Sequence, residues 1–168
     1  MESVKDEEQV ARAIFSPSFL NPDKSIGPYA YYMVVMPSGS VESDISIFRM
    51  KLCDDIYATI SSLHPRTPGD VVCGYGKLSV GDIRSIQIPD SSGNVRVDVK
   101  AFPSKKYPSH AGVVIEMDER QINAYDFYNP NREPLESINP HLLFVVRELA
   151  DQSIFEPLLD GYENQNLA

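Results

Sequence analysis

The chain has 168 residues, of which 42% are hydrophobic and 23% are charged, a composition typical of one globular domain and not of a disordered chain. Its apolar runs fall short of the roughly 18 residues that a membrane-spanning helix needs, and its acidic start lacks the basic and apolar parts of a signal peptide. The sequence therefore predicts a cytoplasmic domain of residues 1–156, followed by a polar, flexible tail of residues 157–168.

The first half of the chain carries patterns of both helices and strands. Residues 3–14 are predicted as a helix, because Ser3 precedes an acidic first turn and apolar residues recur at three- and four-residue spacing. Two strands are predicted next, an aromatic and β-branched run at 29–36 and an alternating run at 44–50, and we expect them to pair across the turn between them. Apolar residues at helical spacing then predict a helix over 53–63.

The second half of the chain is dominated by strand patterns. The clearest strand is 94–102, in which apolar and polar side chains alternate, and we expect it to form a hairpin with 86–88. The other predicted elements, in chain order, are a strand at 71–78, a short helix capped by Ser79, a strand at 110–117, a loop over 125–138 and a last helix capped by Asn139.

The order of these elements indicates the fold class. Strands cluster in the middle of the chain and are joined by turns of hairpin length. This order favours an α+β fold with a central, mainly antiparallel sheet and about three helices packed against it. The two cysteines lie in different segments, so we expect two small, buried thiols in a reducing compartment.

Negative charge is concentrated near the end of the chain. Residues 116–168 hold 11 acidic and 3 basic side chains, and therefore −8 of the net charge of −9. A field of this sign repels the phosphate backbone of nucleic acids and favours basic protein partners. Acidity of this kind also keeps proteins soluble, which is the simpler interpretation.

Cys73 and His110 are residue types that could form a nucleophile–base pair. The two side chains touch only if their predicted strands are neighbours, and a third group such as Asp98 or Asp70 would then orient the imidazole. No local motif supports this arrangement, and filling space in the core is the favoured role for Cys73.

The histidines show no metal-ligand spacing, so the sequence indicates no metal and no cofactor. One carboxylate–imidazole arrangement is conceivable, because Glu116 and Asp118 would share a strand face with His110. A solvated face at the end of a strand explains these residues as well.

A short stretch resembles a known class of enzyme. Pro89-Asp90, followed by Asp98-Val99-Lys100, is similar to the core of the PD-(D/E)xK nuclease family. In that family two acidic groups hold a divalent metal and the lysine positions the attacking water. The resemblance implies a metal-dependent nuclease with Asp90, Asp98 and Lys100 as its catalytic residues. The gap between the two halves is shorter than the family's, and Asp90 also suits the start of a turn.

A second resemblance covers roughly residues 71–115. The runs Gly74-Tyr75-Gly76-Lys77-Leu78, Asp82-Ile83-Arg84 and Pro108-Ser109-His110-Ala111 resemble small uncharacterised bacterial proteins. This resemblance implies a bacterial origin and no particular activity.

The leading hypothesis is a non-enzymatic, acidic protein-binding module that engages a basic partner surface. Tyrosine-rich stretches and clustered acidic residues are features of protein interfaces. An immunity or antitoxin-like protein, or an accessory subunit of a bacterial defence system, fits this description, and the metal-dependent nuclease is the alternative. The residues predicted to bind the partner are Tyr125, Phe127, Tyr128, Glu148, Asp151 and Glu156.

Overall fold

A computed structural model describes residues 3–36, 38–89, 94–127 and 139–159. Within these residues the strands are β1 (Gln9–Ser16), β2 (Ile45–Arg49), β3 (Val71–Ser79), β4 (Val95–Ala101), β5 (His110–Met117), β6 (Arg120–Gln121) and β7 (Ile154–Pro157). The helices are α1 (Ile56–Ser61), α2 (Val80–Arg84), α3 (Ala124–Phe127) and α4 (Pro140–Gln152), with short 3-10 turns at Pro28–Tyr31 and Met50–Leu52.

The strands form one antiparallel sheet in the order β4-β5-β2-β1-β3-β7, and β6 is paired with β5. The α+β fold with a mainly antiparallel sheet is therefore confirmed. Among the described residues, the helices are all too short or too polar to cross a lipid bilayer.

The predicted helix over 3–14 is wrong, because residues 9–16 form β1 instead. This strand lies between β2 and β3, and nearly all of its side chains are buried on both of its faces. A strand that is covered on both faces does not alternate between apolar and polar residues. Its apolar residues therefore fell at spacings that imitate the stripe of a helix.

The predicted strand over 29–36 is also wrong. The segment begins with the 3-10 turn Pro28–Tyr31, which packs against α4, and the Tyr31 hydroxyl is hydrogen-bonded to the Ser153 hydroxyl. From this run only Val35 makes a bridge, to Val41. The strand predicted at 44–50 is present as β2, but its partners are β1 and β5.

Strand β4 is confirmed, but its predicted hairpin with 86–88 is wrong, because β4 pairs with β5. Residues 85–89, the described residues that follow α2, have no strand partner, and Ile86 and Ile88 are buried as part of the apolar core. The helix predicted over 53–63 is present as the shorter α1. The expected start of α4 is confirmed, since the Asn139 side chain accepts a hydrogen bond of 2.8 Å from the backbone N–H of His141.

The last described segment adds an outer strand to the sheet. β7 pairs with β3, and the N–H of Leu158 donates a 2.8 Å hydrogen bond to the carbonyl of Cys73. Gly74 permits this approach, since an added Cβ there would lie 2.2 Å from the Glu156 carbonyl oxygen. Of the predicted tail, residues 157–159 thus continue from the sheet, and residues 160–168 lie outside the described residues.

A buried ion pair ties the start of the chain to β2. The Nε and Nη2 atoms of Arg49 each donate a 2.8 Å hydrogen bond to the Glu8 carboxylate, and both side chains are only 4% exposed. Burial raises the pKa of Glu8, but the hydrogen bonds from Arg49 and from the Lys5 backbone outweigh that effect and bring the pKa down to about 2.

Candidate functional site

A cavity of about 250 Å³ opens beside β1, β2 and β5. It combines cationic, aromatic and hydroxyl-bearing side chains, which is the mixture expected of a ligand-binding site. The residues that line it are Arg12, Ala13, Phe15, Phe19, Met36, Glu42, Ser46, Phe48, Leu63, His64, Arg66, Tyr107 and His110.

The cavity lies where β1 and β2 stop pairing. The two strands are in register at Val10 with Arg49 and at Ala11 with Phe48. Beyond that point the Arg12 side chain takes over the contact, since its Nη1 donates a 2.9 Å hydrogen bond to the carbonyl of Ser46. The guanidinium group therefore replaces a strand pairing, and it brings a positive charge to the wall of the cavity.

Arg12 is held in place by the segment that follows β1. Its Nε donates a 2.8 Å hydrogen bond to the carbonyl of Ala30, and the residue is 9% exposed. Burial, and then the nearby charge of Arg66, lower the pKa of Arg12 to about 10. Arg12 therefore stays charged at neutral pH, but in an environment that disfavours its charge.

Arg66 reaches the cavity from the loop between α1 and β3. It donates hydrogen bonds to the carbonyls of Tyr29 and Tyr32, the second at 2.7 Å, while its Nε is buried without a hydrogen-bond partner. The Arg66 side chain is 9% exposed, and burial lowers its pKa. One donor of a buried cation is thus left unsatisfied, which is energetically unfavourable.

The ring of Phe19 brings the two cations together. The central carbon of the Arg66 guanidinium lies 4.6 Å from the centroid of this ring, and that of Arg12 lies 5.6 Å from it. Arg66 also lies 4.6 Å from the ring centroid of Tyr29. Stacking of this kind orients the planar guanidinium groups and stabilises their positive charge.

Three carboxyl groups, those of Glu42, Asp44 and Asp70, lie near enough to the arginines for their charges to interact. Glu42 approaches Arg66 only to 4.0 Å and accepts a 2.7 Å hydrogen bond from the backbone N–H of Val34. Burial raises the pKa of Asp44, an effect that the charges of His110 and Arg12 oppose. Asp44 rests on Gly112, where an added Cβ would lie 2.2 Å from the Asp44 Oδ2 atom.

A serine and a histidine share the same cavity. The Ser46 hydroxyl lies 3.0 Å from Nε2 of His110, and Nδ1 of His110 lies 2.9 Å from the carbonyl of Phe102. A carbonyl oxygen only accepts hydrogen bonds, so Nδ1 carries the proton of the neutral ring. Nε2 is then an acceptor, and the Ser46 hydroxyl donates to it.

Aromatic rings complete the wall around this pair. The Phe48 ring makes edge contacts with the rings of Tyr107 and His110, at centroid distances of 5.6 Å and 5.8 Å. Tyr107 is held in turn by a 2.9 Å hydrogen bond between its hydroxyl and that of Ser62. The cavity therefore offers cations, a serine–histidine pair and an apolar wall to the same ligand.

The considered pair of Cys73 and His110 is not formed. Their strands, β3 and β5, are separated by β1 and β2, which at the usual strand spacing places them roughly 14 Å apart. The Cys73 thiol instead donates a 3.4 Å hydrogen bond to the carbonyl of Ile14, and burial raises its pKa to about 11. Cys73 is therefore a protonated, weakly nucleophilic thiol.

The residues considered as metal ligands do not lie close together either. His110 and Glu116 stand at opposite ends of β5, about 20 Å apart at the usual rise per residue of a strand. Within the described ranges, no three His, Cys, Asp or Glu side chains are grouped so that they could hold a metal ion.

The residues of the nuclease prediction are only partly described. Asp90 lies outside the described residues, and Lys100 is exposed on β4. The Asp98 carboxylate accepts 2.7 Å hydrogen bonds from Nε of Arg84 and from the backbone N–H of Val99. Arg84 also pairs with Asp6 at 2.7 Å and donates a 2.9 Å hydrogen bond to the carbonyl of Val99. Asp98 thus has a structural role on β4, while the nuclease activity stays a prediction.

The residues predicted to bind a protein partner fall into different environments. Tyr125 is 60% exposed, whereas Phe127 is 2% exposed and packs against the ring of Tyr32 at 5.5 Å. The prediction that Phe127 contacts a partner is corrected, because this ring belongs to the core. Tyr128 lies outside the described residues.

The acidic members of the predicted interface lie near the last outer strand. Asp151 is exposed and Glu148 is half-buried, both on α4. Glu156 is half-buried on β7 and pairs with Lys77 at 3.8 Å. These three residues stay candidates for binding a basic partner.

The sequence patterns do not mark Arg12, Arg66 or Ser46 as site residues. They predict a helix around Arg12, a loop around Arg66 and a strand around Ser46. The available signal was an arginine inside the apolar run Ala11–Phe15, because a cation at such a position needs buried partners.

Comparison of the chain with models of protein families, with curated proteins and with solved structures found no match.

Proposed function

We propose that the chain binds a small organic anion in the cavity between Arg12 and Arg66. The observation that carries the proposal is the pair of buried guanidinium groups on Phe19, with Nε of Arg66 lacking a partner. Guanidinium groups bind carboxylates and phosphates through two parallel hydrogen bonds, so we expect the ligand to carry a carboxylate or a phosphate group.

The charge balance of the cavity supports this proposal. Burying two cations is costly unless anions compensate them. Glu42 lies 4.0 Å from Arg66, and burial raises the pKa of Asp44 and so disfavours its charge. A bound oxyanion would add negative charge beside the two guanidinium groups.

The shape of the cavity limits the rest of the ligand. Its volume of about 250 Å³ is below the ~300–1,000 Å³ of pockets for drug-sized molecules. The rings of Phe15, Phe48 and Tyr107 favour an aromatic or otherwise apolar body. A small aromatic carboxylate or phosphate meets these requirements.

Binding can be measured by calorimetry with benzoate, phenyl phosphate and the neutral benzamide. We expect at least one anion to bind and benzamide not to bind. Arg66→Met should weaken binding roughly 10- to 100-fold, since a hydrogen bond to a charged group contributes about 1.5–3 kcal/mol. The matched control is Arg96→Met, which removes an exposed arginine that is 3.9 Å from Glu116. Equal binding of benzamide, or binding that Arg66→Met leaves intact, would contradict the proposal.

We propose protein binding at β7 as a second function. β7 is an outer strand of the sheet, and its Ile154 is 57% exposed between the acidic residues Asp151 and Glu156. An exposed apolar side chain flanked by acidic residues suits a partner with a basic surface. In this proposal the chain acts in the bacterial cytoplasm as an immunity or antitoxin-like protein, or as an accessory subunit of a defence system.

Charge reversal tests this second function. The variant Glu148→Lys, Asp151→Lys, Glu156→Lys should recover a basic partner at least about tenfold less well than the wild type in pull-downs, a loss of roughly 1.4 kcal/mol. Added salt should weaken recovery by the wild type, because exposed charges are screened. The control variant reverses Glu7, Asp54 and Glu119, which are exposed elsewhere. A partner that the first variant retains would rule out this surface.

A further inference from the structure

The pair of Ser46 and His110 indicates a reaction as well as a binding site. We propose that Ser46 is a nucleophile and His110 its general base, in the hydrolysis of a small carboxylic ester that carries an anionic group. The inference rests on the proposed anion binding, because Arg12 and Arg66 would hold the charged end of the substrate in the same cavity.

The hydrogen bonds around His110 determine which of its ring nitrogens carries the proton of the neutral imidazole. The carbonyl of Phe102 fixes the proton on Nδ1, so Nε2 faces the Ser46 hydroxyl with a free electron pair at 3.0 Å. A serine hydroxyl is activated when a base lies within hydrogen-bond reach of it and a third group orients that base. The carbonyl here takes the orienting role.

Arg12 lies between Arg66 and the pair of Ser46 and His110 in the wall of the cavity. Its Nη1 donates a hydrogen bond to the carbonyl of Ser46, so the cation lies next to the backbone of the nucleophile. A substrate whose anionic group contacts Arg12 or Arg66 therefore extends along the aromatic wall towards the serine.

The reaction has two steps. In the first, the Ser46 oxygen bonds to the ester carbonyl carbon, His110 Nε2 takes the serine proton, and the carbon–oxygen bond to the alcohol breaks as His110 returns that proton to the leaving oxygen. In the second, a water molecule donates a proton to Nε2 and bonds to the acyl carbon. The bond to Ser46 breaks, the serine oxygen takes the proton back, and the carboxylic acid is released.

The chemistry favours esters over amides. A carbonyl oxygen orients the imidazole but carries no full charge to stabilise the imidazolium, as the carboxylate of a complete triad does. Esters of phenols release a good leaving group and need less assistance. The expected substrates are therefore small, anionic aryl esters.

The test uses 4-acetoxybenzoate and its neutral analogue 4-acetoxybenzamide, with release of the phenol followed by absorbance. We expect the wild type to hydrolyse the anionic ester with the higher kcat/KM. Ser46→Ala and His110→Gln should each lower kcat/KM about 100-fold or more, the usual contribution of a nucleophile or general base. Ser38→Ala, at an exposed serine outside the cavity, should leave it unchanged. A fluorophosphonate should add one covalent label to Ser46, seen by mass spectrometry, and should not label Ser46→Ala.

The outcomes separate this inference from the binding proposal. If benzoate binds in an Arg66-dependent way but the ester is not hydrolysed, or Ser46→Ala hydrolyses it as fast as the wild type, the hydrolase is wrong and the binding stands. If neither anion binds and no ester is cleaved, both proposals fail. Benzoate affinity of Ser46→Ala equal to that of the wild type shows that the variant keeps the cavity intact, so that a loss of rate reports on chemistry.

Discussion

Replacing Glu8 with glutamine is expected to lower the free energy of unfolding by about 3–5 kcal/mol, because the change removes the carboxylate charge that compensates the buried Arg49 guanidinium. Both side chains are 4% exposed, so water does not replace the lost interaction. Chemical denaturation followed by circular dichroism measures the difference. The control is Glu116→Gln, which removes an exposed pair with Arg96 and should cost at most about 1 kcal/mol.

The same ion pair makes stability depend on pH. The pKa of Glu8 is about 2 in the folded chain, whereas the ordinary value is 4.5. The stabilisation is therefore complete above pH 4.5 and is lost as the pH falls towards 2. The difference corresponds to about 3 kcal/mol. We expect this loss in wild-type denaturation curves and a smaller one in Glu8→Gln. Parallel pH profiles for the two proteins would show that Glu8 is not the group responsible.

Replacing Phe19 with alanine is expected to cost about 3–5 kcal/mol of stability, the usual range for removing a buried phenylalanine. The ring is almost completely buried and makes edge contacts with Phe15 and Tyr29, at centroid distances of 5.6 Å and 5.8 Å. It is also the ring on which Arg12 and Arg66 stack, so its loss leaves two cations against a void. Urea denaturation measures the stability of the variant.

Two further variants make the Phe19 prediction specific. Phe19→Leu keeps an apolar side chain but no aromatic face, and should cost less than Phe19→Ala while still weakening benzoate binding. Phe102→Ala removes a ring that is 40% exposed and should cost under about 1 kcal/mol. A Phe19→Ala protein as stable as Phe102→Ala would show that the contacts of Phe19 with Arg12, Arg66 and the neighbouring rings do not stabilise the fold.

The sequence predicted β4 as a strand but missed β1. β4 was recognisable because buried valines alternate with polar residues. β1 was not, because its place between β2 and β3 buries both faces and removes the alternation. The run at 29–36 has strand composition, yet the carbonyls of Tyr29, Ala30 and Tyr32 accept hydrogen bonds from the side chains of Arg12 and Arg66, which come from other parts of the chain.

The candidate site was beyond local patterns for the same reason. His110 was recognised as a candidate base, but its partner depends on which strand lies next to β5. The pairing of β2 with β5 in the observed register brings Ser46 within reach and leaves Cys73 two strands beyond. Strand order is set by packing over the whole sheet, so no spacing along the chain reports it.

The bracing of β4 by Arg84 and Asp98 has a consequence for self-association. At Val99, the outermost strand has its N–H bonded to Asp98 and its carbonyl bonded to Arg84. An approaching strand from another copy would find these main-chain groups occupied and a charged pair in its path, which are features that block the growth of fibrils. The opposite border, β7, is short and ends at Pro157. Both edge strands of the sheet thus discourage edge-to-edge polymerisation at high protein concentration.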